Sequence, residues 1–380
     1  MIQYFVTGGT VVGGSALVPV LLDDPGNEVC LLVRARDERA LGERIDALFR
    51  FWQFGEREAD VRRRVRAVRG DATEPRFGLA AADFDTLCAT VTHVVHAAGA
   101  VRMNLPLEDA RRSAVGSARQ VVDFAWALHR TGRLEKVEFV STVGVGGRLP
   151  VVREDWIDTP RDFHNTYEQS KAEAEELVHR EVERGLPLTV HRPSMVVGDS
   201  RTGRIIHFQV FYHLCEFLSG RRTFGLFPPL GAARLDVVPA DDVARQIAWS
   251  SRSPELAARL LHAAAGPECS LPLEALRQVV RATWQAHGVR VPRVVTLPRG
   301  VFGSIVRVAG RVVDERTRRA LQTLPVFLDY LGTTQEFCVT RTAPVHGGGS
   351  QPSPAPCRPW QSFLPCVLDY YLRRIDGRRD

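Results

Sequence analysis

A tyrosine and a lysine stand four residues apart in Asn165-Thr166-Tyr167-Glu168-Gln169-Ser170-Lys171-Ala172. In a helix that spacing puts both side chains on one face. The chemistry it suits is proton donation. A free tyrosine, with a pKa of about 10, is a poor proton shuttle near neutrality. An ammonium close by stabilises the phenolate and lowers that pKa. The bare pattern occurs by chance in long chains, but composition strengthens it here. The chain carries 48 arginines and only two lysines, Lys136 and Lys171. A compact ammonium differs from a guanidinium in geometry and proton chemistry. A lysine kept at this spacing points to a chemical role, against the alternative of a surface lysine.

A second constellation fits a dinucleotide. The apolar run 2–6 ends in Thr7-Gly8-Gly9-Thr10-Val11-Val12-Gly13-Gly14, and a helical pattern follows over 14–23. Glycines belong there because backbone amides must approach a pyrophosphate at a helix N-terminus. The position of the turn, after the first strand and before the first helix, favours this over a plain strand-to-helix turn. The second strand ends in Val33-Arg34-Ala35-Arg36 rather than in an acid. An acid would bond a ribose 2′-hydroxyl, whereas Arg34 or Arg36 accommodates a 2′-phosphate, which favours NADP over NAD. The alternative is that one or both arginines are solvated. Gly70-Asp71 either offers a carboxylate to an adenine amino group or closes a turn. The fourth strand ends in Ala97-Ala98-Gly99 and the fifth in Ser141-Thr142. Ligands bind at the carboxyl ends of strands in such sheets. A hydroxyl there can bond a substrate oxygen and stabilise its developing negative charge, unless it only shapes a turn. Lys171 can then also hold the nicotinamide ribose. His93 and His96 read as packed residues. They lack partners at metal-binding spacing, so no metal is expected.

These residues need elements to hold them. Strand-like runs at 2–6, 28–33, 65–68, 92–96, 137–140 and 188–191 alternate with helical stretches, among them 107–130 and 167–184. The alternation predicts right-handed βαβ units and an α/β fold with a doubly wound parallel sheet. The expected nucleotide-binding domain is 1–200, with a strand returning near 235–243. A smaller, mostly helical substrate-binding region is expected over 201–341, with 254–331 read mainly as helices. Its aromatic stretch (Phe208, Phe211, Tyr212, Phe217, Phe224, Phe227) suits either an apolar ligand or a helix core. Residues 342–360 read as a flexible Pro/Gly-rich loop and 361–380 as a C-terminal helix.

At 380 residues, 44% hydrophobic and 25% charged, the chain can bury a sizeable core without disulfides. Its seven cysteines (Cys30, Cys88, Cys215, Cys269, Cys338, Cys357, Cys366) are scattered, with no C-x-x-C pair, so neither a zinc site nor a redox motif is signalled. A reducing cytoplasm is the simplest compartment. The net charge of +6 is dispersed, and no aromatic-basic motif accompanies it, so nucleic acid is not an expected partner. No signal peptide opens the chain, and no apolar run approaches the roughly 18 residues of a membrane span. The mixed apolar and arginine stretch at 298–314 suits peripheral membrane contact or a packed helix.

Taken in order, the Gly-rich turn, Val-Arg, Gly-Asp, His-Ala-Ala-Gly, Ser-Thr, Tyr-x-x-x-Lys and Arg192-Pro193-Ser194 resemble the extended short-chain dehydrogenase/reductases. The chain is most similar to their fatty acyl-CoA reductase and thioester reductase branch. The resemblance covers about 1–265 well and extends weakly through Phe327-Leu328-Asp329-Tyr330 and Leu368-Asp369-Tyr370-Tyr371. It implies a Rossmann domain and NADPH held by Thr7, Gly8, Gly9, Thr10, Val11, Val12, Gly14, Arg34, Arg36, Asp71, Ala97, Ala98, Gly99, Tyr167, Lys171, Pro193 and Ser194. It implies a Thr142/Tyr167/Lys171 triad and an acyl thioester substrate on coenzyme A or a carrier protein, reduced to an aldehyde and, with a second hydride, an alcohol. Two departures stand out. The family's turn places glycine where this chain has Val11, and its Asn-Val-x-Gly helix is Ser113-Ala114-Val115-Gly116 here. Two other readings stay open: an extended reductase of a sterol, other ketone or sugar nucleotide, and a catalytically silent NADP-binding regulator. Oligomeric state is not legible.

Overall fold

Seven runs rich in Val, Leu and Phe become one parallel sheet: β1 (Ile2–Thr7), β2 (Asn27–Val33), β3 (Val65–Arg69), β4 (His93–His96), β5 (Lys136–Val140), β6 (Leu188–Pro193) and β7 (Leu260–Ala263). The spatial order is β3-β2-β1-β4-β5-β6-β7, and every neighbouring pair is parallel. The computed structural model describes residues 2–103, 105–298, 300–304, 334–340, 342–345, 349–352 and 357–377. Winding reverses between β1 and β4, which opens a crevice at their carboxyl ends. Thr7 lies at that point, opposite Leu32 on one side and His96 on the other.

Both faces of the sheet are covered, so strand residues are apolar on both sides. Tyr4 and Val6 pack beneath α1 (Val12–Leu21) and α2 (Glu38–Trp52), together with Val243 and Ile247 from a later helix. Phe5 points the other way, into a core shared with α3 (Ala81–Thr90), α4 (Ser117–Arg130) and α5 (Thr166–Glu183). The helix expected over 107–130 is in three parts: Leu107–Arg111, a π-helical turn Arg112–Gly116, and α4. A third core joins α6 (Val210–Leu218), α8 (Leu273–Ala286) and α9 (Leu364–Asp376); α7 (Ala240–Ser251), between α6 and α8 in sequence, packs mainly with α1 on the sheet. Phe211, Tyr212, Phe217 and Phe227 are buried in that third core, which takes up most of the aromatic stretch as packing, while Phe224 is 81% exposed.

Several elements differ from their sequence-based expectation. Residues 260–263 form a strand paired with β6 rather than part of a helical stretch. The returning strand, Val237–Pro239, pairs with Met195–Val197 in a separate two-stranded ladder. The expected loop contains an antiparallel hairpin, Thr342–Val345 with Gly349–Pro352. A disulfide joins Cys269 to Cys357, where none was expected, with Cα atoms 6.1 Å apart. Beside it, Arg358 pairs with Asp242 at the start of α7 at 2.9 and 3.1 Å. Phe327 to Tyr330 and residues 305–314 lie outside the described residues. Among those described, no helix is long and apolar enough to cross a membrane.

Candidate active site

The glycine turn is fixed by close packing between the ends of β1 and β4. Gly8 has φ +79°, a conformation glycine adopts without strain. A Cβ on it would lie 2.4 Å from Ala98 N and 2.5 Å from the carbonyl carbon of Ala97. A Cβ on Gly14 would lie 2.2 Å from Gly8 O, whereas one on Gly13 would meet nothing. Val11 sits at φ −99°, ψ 171°, extended backbone that suits a β-branched residue, and its N–H donates to Gly8 O at 3.0 Å. Val11 is the N-cap of α1 and provides no side-chain cap, so the first amides of that helix face the turn without a side-chain acceptor. That is the arrangement an anion completes.

Below the turn, Thr7 Oγ1 meets His96 Nδ1 at 2.7 Å, and Ser117 Oγ meets His96 Nε2 at 3.2 Å. Burial, then the Lys171 cation, push His96 down to about 3, so its ring is neutral. The π-helical turn carries Ser113, whose Oγ accepts from Ala100 N at 2.9 Å and so ties this turn to the loop after β4.

At the ends of β2 and β3, Arg34 faces Asp71 at 3.6 Å and Arg36 pairs with Asp37 at 3.2 Å; both arginines are more than three-quarters exposed. Such pairs hold weakly. Asp71 Oδ1 also accepts from the backbone and hydroxyl of Thr73, each at 2.9 Å, so its turn-closing role is visible. Farther along the sheet edge, Ser194 N donates to Ala263 O at 3.0 Å. The buried Ser194 Oγ has no hydrogen-bond partner among the described residues.

α5 begins with a reciprocal cap. Asn165 Oδ1 accepts from Glu168 N at 3.0 Å, and Glu168 Oε2 accepts from His164 N at 2.9 Å. Thr166 Oγ1 donates to Leu105 O at 2.8 Å, tying the helix start to the loop after β4. This places the half-buried Tyr167 beside Thr142, whose hydroxyl is near enough to favour the phenolate. Thr142 caps the short turn Val143–Gly146, accepting from Gly144 N at 3.1 Å. One turn along α5, Lys171 Nζ donates to Val140 O at 3.1 Å. It lies 3.4 Å from where a Cβ on Gly99 would be, so Gly99 leaves room for it.

The electrostatics differ from the expected acidified phenol. Burial pushes Tyr167 up to about 12, with the neighbouring Thr142 side chain opposing and the Glu168 carboxylate reinforcing the rise. The Lys171 ammonium is turned to the Val140 carbonyl instead. Burial draws Lys171 down to about 8, against the pull of Glu175. Thr142, Tyr167 and Lys171 therefore stand together, Gly99 links them to the glycine turn through Ala97 and Ala98, and Arg34, Arg36 and Asp71 stand at the far edge. Glu175 and Arg192 were not anticipated as site neighbours. The spacing of Glu175, four after Lys171, was a readable signal; Arg192 stood in the Arg192-Pro193-Ser194 run, but with no role read for its side chain.

The chain matches the family described as male sterility protein over residues 6–247. It is 33% identical over 207 residues to the isonitrile lipopeptide synthase of Streptomyces coeruleorubidus, a match covering 53% of this chain and 14% of that one. It resembles the terminal R domain from the myxalamid PKS-NRPS biosynthetic pathway, with a TM-score of 0.73 and 24% identity over 98% of this chain and 91% of that one. It also resembles a thiolation-reductase di-domain from an archaeal non-ribosomal peptide synthetase, with a TM-score of 0.68 and 18% identity over 99% and 76%. The chain spans only a small part of its curated relatives, and the likeness to the two solved structures is one of fold.

Proposed function

Because this chain belongs to the male sterility protein family of extended short-chain reductases, we propose that it reduces an acyl thioester to an aldehyde with NADPH, its acyl group presented on a carrier protein. The observation that carries this reading is Tyr167 placed beside Thr142 and one helical turn from Lys171, at the carboxyl ends of the strands and next to the glycine turn. The residues fit a dinucleotide: an uncapped α1 N-terminus, a cradle that a Cβ would fill at Gly8 and Gly14, and the orphaned Ser194 hydroxyl. Thr7, Gly8, Gly9, Thr10, Val11, Val12 and Gly14 would hold the pyrophosphate side. Ala97, Ala98, Gly99, Tyr167, Lys171, Pro193 and Ser194 would hold the nicotinamide side. Arg34 and Arg36 would take a 2′-phosphate, with Asp71 near the adenine.

Bound there, the nicotinamide supplies a hydride. Thr142 and Tyr167 hold the carbonyl oxygen and stabilise the charge it gains, and Tyr167 gives it a proton. A phenol held near 12 keeps that proton at neutral pH until the oxyanion forms. The hemithioacetal then collapses to an aldehyde and a thiol. A second reduction at the same residues would give the alcohol. The carrier rather than coenzyme A is favoured by the thiolation-reductase relative.

The test follows NADPH absorbance with an acyl thioester on a phosphopantetheinylated carrier protein, an acyl-CoA, a fatty aldehyde and a sterol. Turnover is expected with the carrier thioester, and Arg34→Ala should raise KM for NADPH but not for NADH. Turnover with the sterol alone would move the activity to a ketone reductase. Cofactor binding with no turnover on any of them would make the chain a silent binder.

A further inference from the structure

Tyr167, Lys171 and Glu175 follow one another at intervals of four along α5, so they form one row. Glu175 is buried, and both its oxygens are engaged. Ser141 Oγ donates to Oε2 at 2.7 Å; Arg192 Nε lies 3.1 Å from each oxygen, and its Nη2 closes on Oε1. Arg192, itself 0% exposed, also gives Nη1 to Arg153 O at 3.0 Å. Ser141 stands between Val140, whose carbonyl takes the Lys171 ammonium, and Thr142, which stands beside Tyr167. One carboxylate is thus tied to the strand end that carries both other partners. A buried ion pair is a poor device for stability alone, since desolvating two charges offsets most of their attraction.

We propose that Glu175, clamped by Arg192 and Ser141, is a positioning residue that sets the surroundings of Lys171 and fixes residues 140–142 against Tyr167. Its role in turnover rests on the reductase reading above. The groups that bear on Lys171 are Glu175 from α5, His96 from the end of β4, and the Phe139 ring, 5.8 Å away, and the Val140 carbonyl from β5. Arg192 reaches it from β6 only through Glu175. His96 is neutral and Tyr167 keeps its proton, so the carboxylate is the charge that sustains the ammonium.

With only two lysines in the chain, the proposal can be read without substrate or cofactor. Protein carrying [ε-13C]lysine gives two signals, and the one lost in Lys171→Met is that of Lys171. Its titration midpoint is expected to fall by about one pH unit in Glu175→Gln. Because that variant leaves Arg192 buried and unpaired, Glu175→Gln/Arg192→Met is measured beside it. It removes both charges together, a change that buried pairs tolerate far better, and it should still lower the midpoint, by less than Glu175→Gln because the opposing Arg192 cation is gone as well. With a reducible thioester, the alkaline limb of kcat should move with the midpoint while KM holds. An unmoved midpoint in the folded double variant overturns the proposal. A moved midpoint in a protein that reduces no carbonyl leaves the Glu175–Lys171 link standing and removes the reductase reading instead.

Discussion

Lys171 is buried at a site where charge is disfavoured, and it is drawn from 10.5 down to about 8. Below about pH 8 both the folded and unfolded chains carry its proton, and the full penalty of burying the ammonium is present. Between about 8 and 10.5 only the unfolded chain keeps the proton, so this group makes stability rise with pH in that window. Lys171→Met removes the buried charge. At pH 7 the melting temperature should rise by about 2 °C, while turnover falls at least ~100-fold, as it should in Tyr167→Phe without any gain in stability. Circular dichroism melts and NADPH oxidation check both; a lower melting temperature in Lys171→Met would mean that its bond to Val140 outweighs its desolvation. The Tyr-Lys pair was legible because four residues within one helix report their own geometry. The scarcity of lysine was informative twice over. Lys136 is also buried, donating to the carbonyls of Ser250 and Ser253 at 2.8 and 2.7 Å. Both lysines therefore fill sites where a compact ammonium fits. The direction of the Tyr167 shift was not legible, because it depends on how deeply the fold buries the phenol and on where the ammonium turns.

The turn after β1 and the start of α5 are the two elements on which the site depends, and they tolerate change differently. Gly8→Ala places a methyl group 2.4 Å from Ala98 N at a positive φ. Backbone must shift, at a cost of about 1–3 kcal/mol, and the β1–β4 crevice is displaced with it. NADPH binding, measured by titration calorimetry, should be lost or weakened at least ~10-fold, since positioned amides carry it. Val11→Gly sits at a φ that any residue accepts. It should leave the melting temperature nearly unchanged and, by removing bulk from the helix N-terminus, tighten NADPH several-fold. Equal affinity in the two proteins would show that Val11 does not crowd the cofactor. The first six strands of the sheet were readable from apolar runs bounded by Gly, Asp or Ser. β7 was not. Leu260-Leu261-His262-Ala263 is short, runs on into Ala264-Ala265, and has the composition of a helix; its strand state comes from pairing with β6. The hairpin at 342–352 was hidden for a related reason, since Gly and Pro marked the turn but no alternating apolar pattern marked its arms.

At the scale of the molecule, the polar groups buried between sheet and helices decide how the fold responds to acid. His96 and His262 are each 1% exposed, and burial pushes both down to about 3, reinforced by Lys171 and Arg192 respectively. His96 is engaged by Thr7 and Ser117, and His262 Nδ1 meets Cys338 O at 2.7 Å. Both pairings join segments far apart in the chain, so no local pattern could have announced them. Their folded values lie below the unfolded value of 6.5, so between pH 6.5 and about 3 the unfolded chain binds two protons that the folded chain refuses. Stability must then fall as the pH falls, by about 1.4 kcal/mol per pH unit for each histidine. From pH 6 to pH 4 the two together remove about 5 kcal/mol, comparable with the whole stability of an ordinary domain. Urea midpoints at pH 7, 6, 5 and 4 should therefore drop steeply before most carboxylates take up protons. Asp241, held below its usual range by Ser200 and Arg245 against its own burial, adds to the loss only below about 3.8. Replacing one of the two rings by a neutral isostere, His96→Asn, should cut the slope between pH 6 and 4 by about 1.4 kcal/mol per pH unit. A slope unchanged in that variant would place the acid sensitivity in the carboxylates and not in the rings beneath the glycine turn.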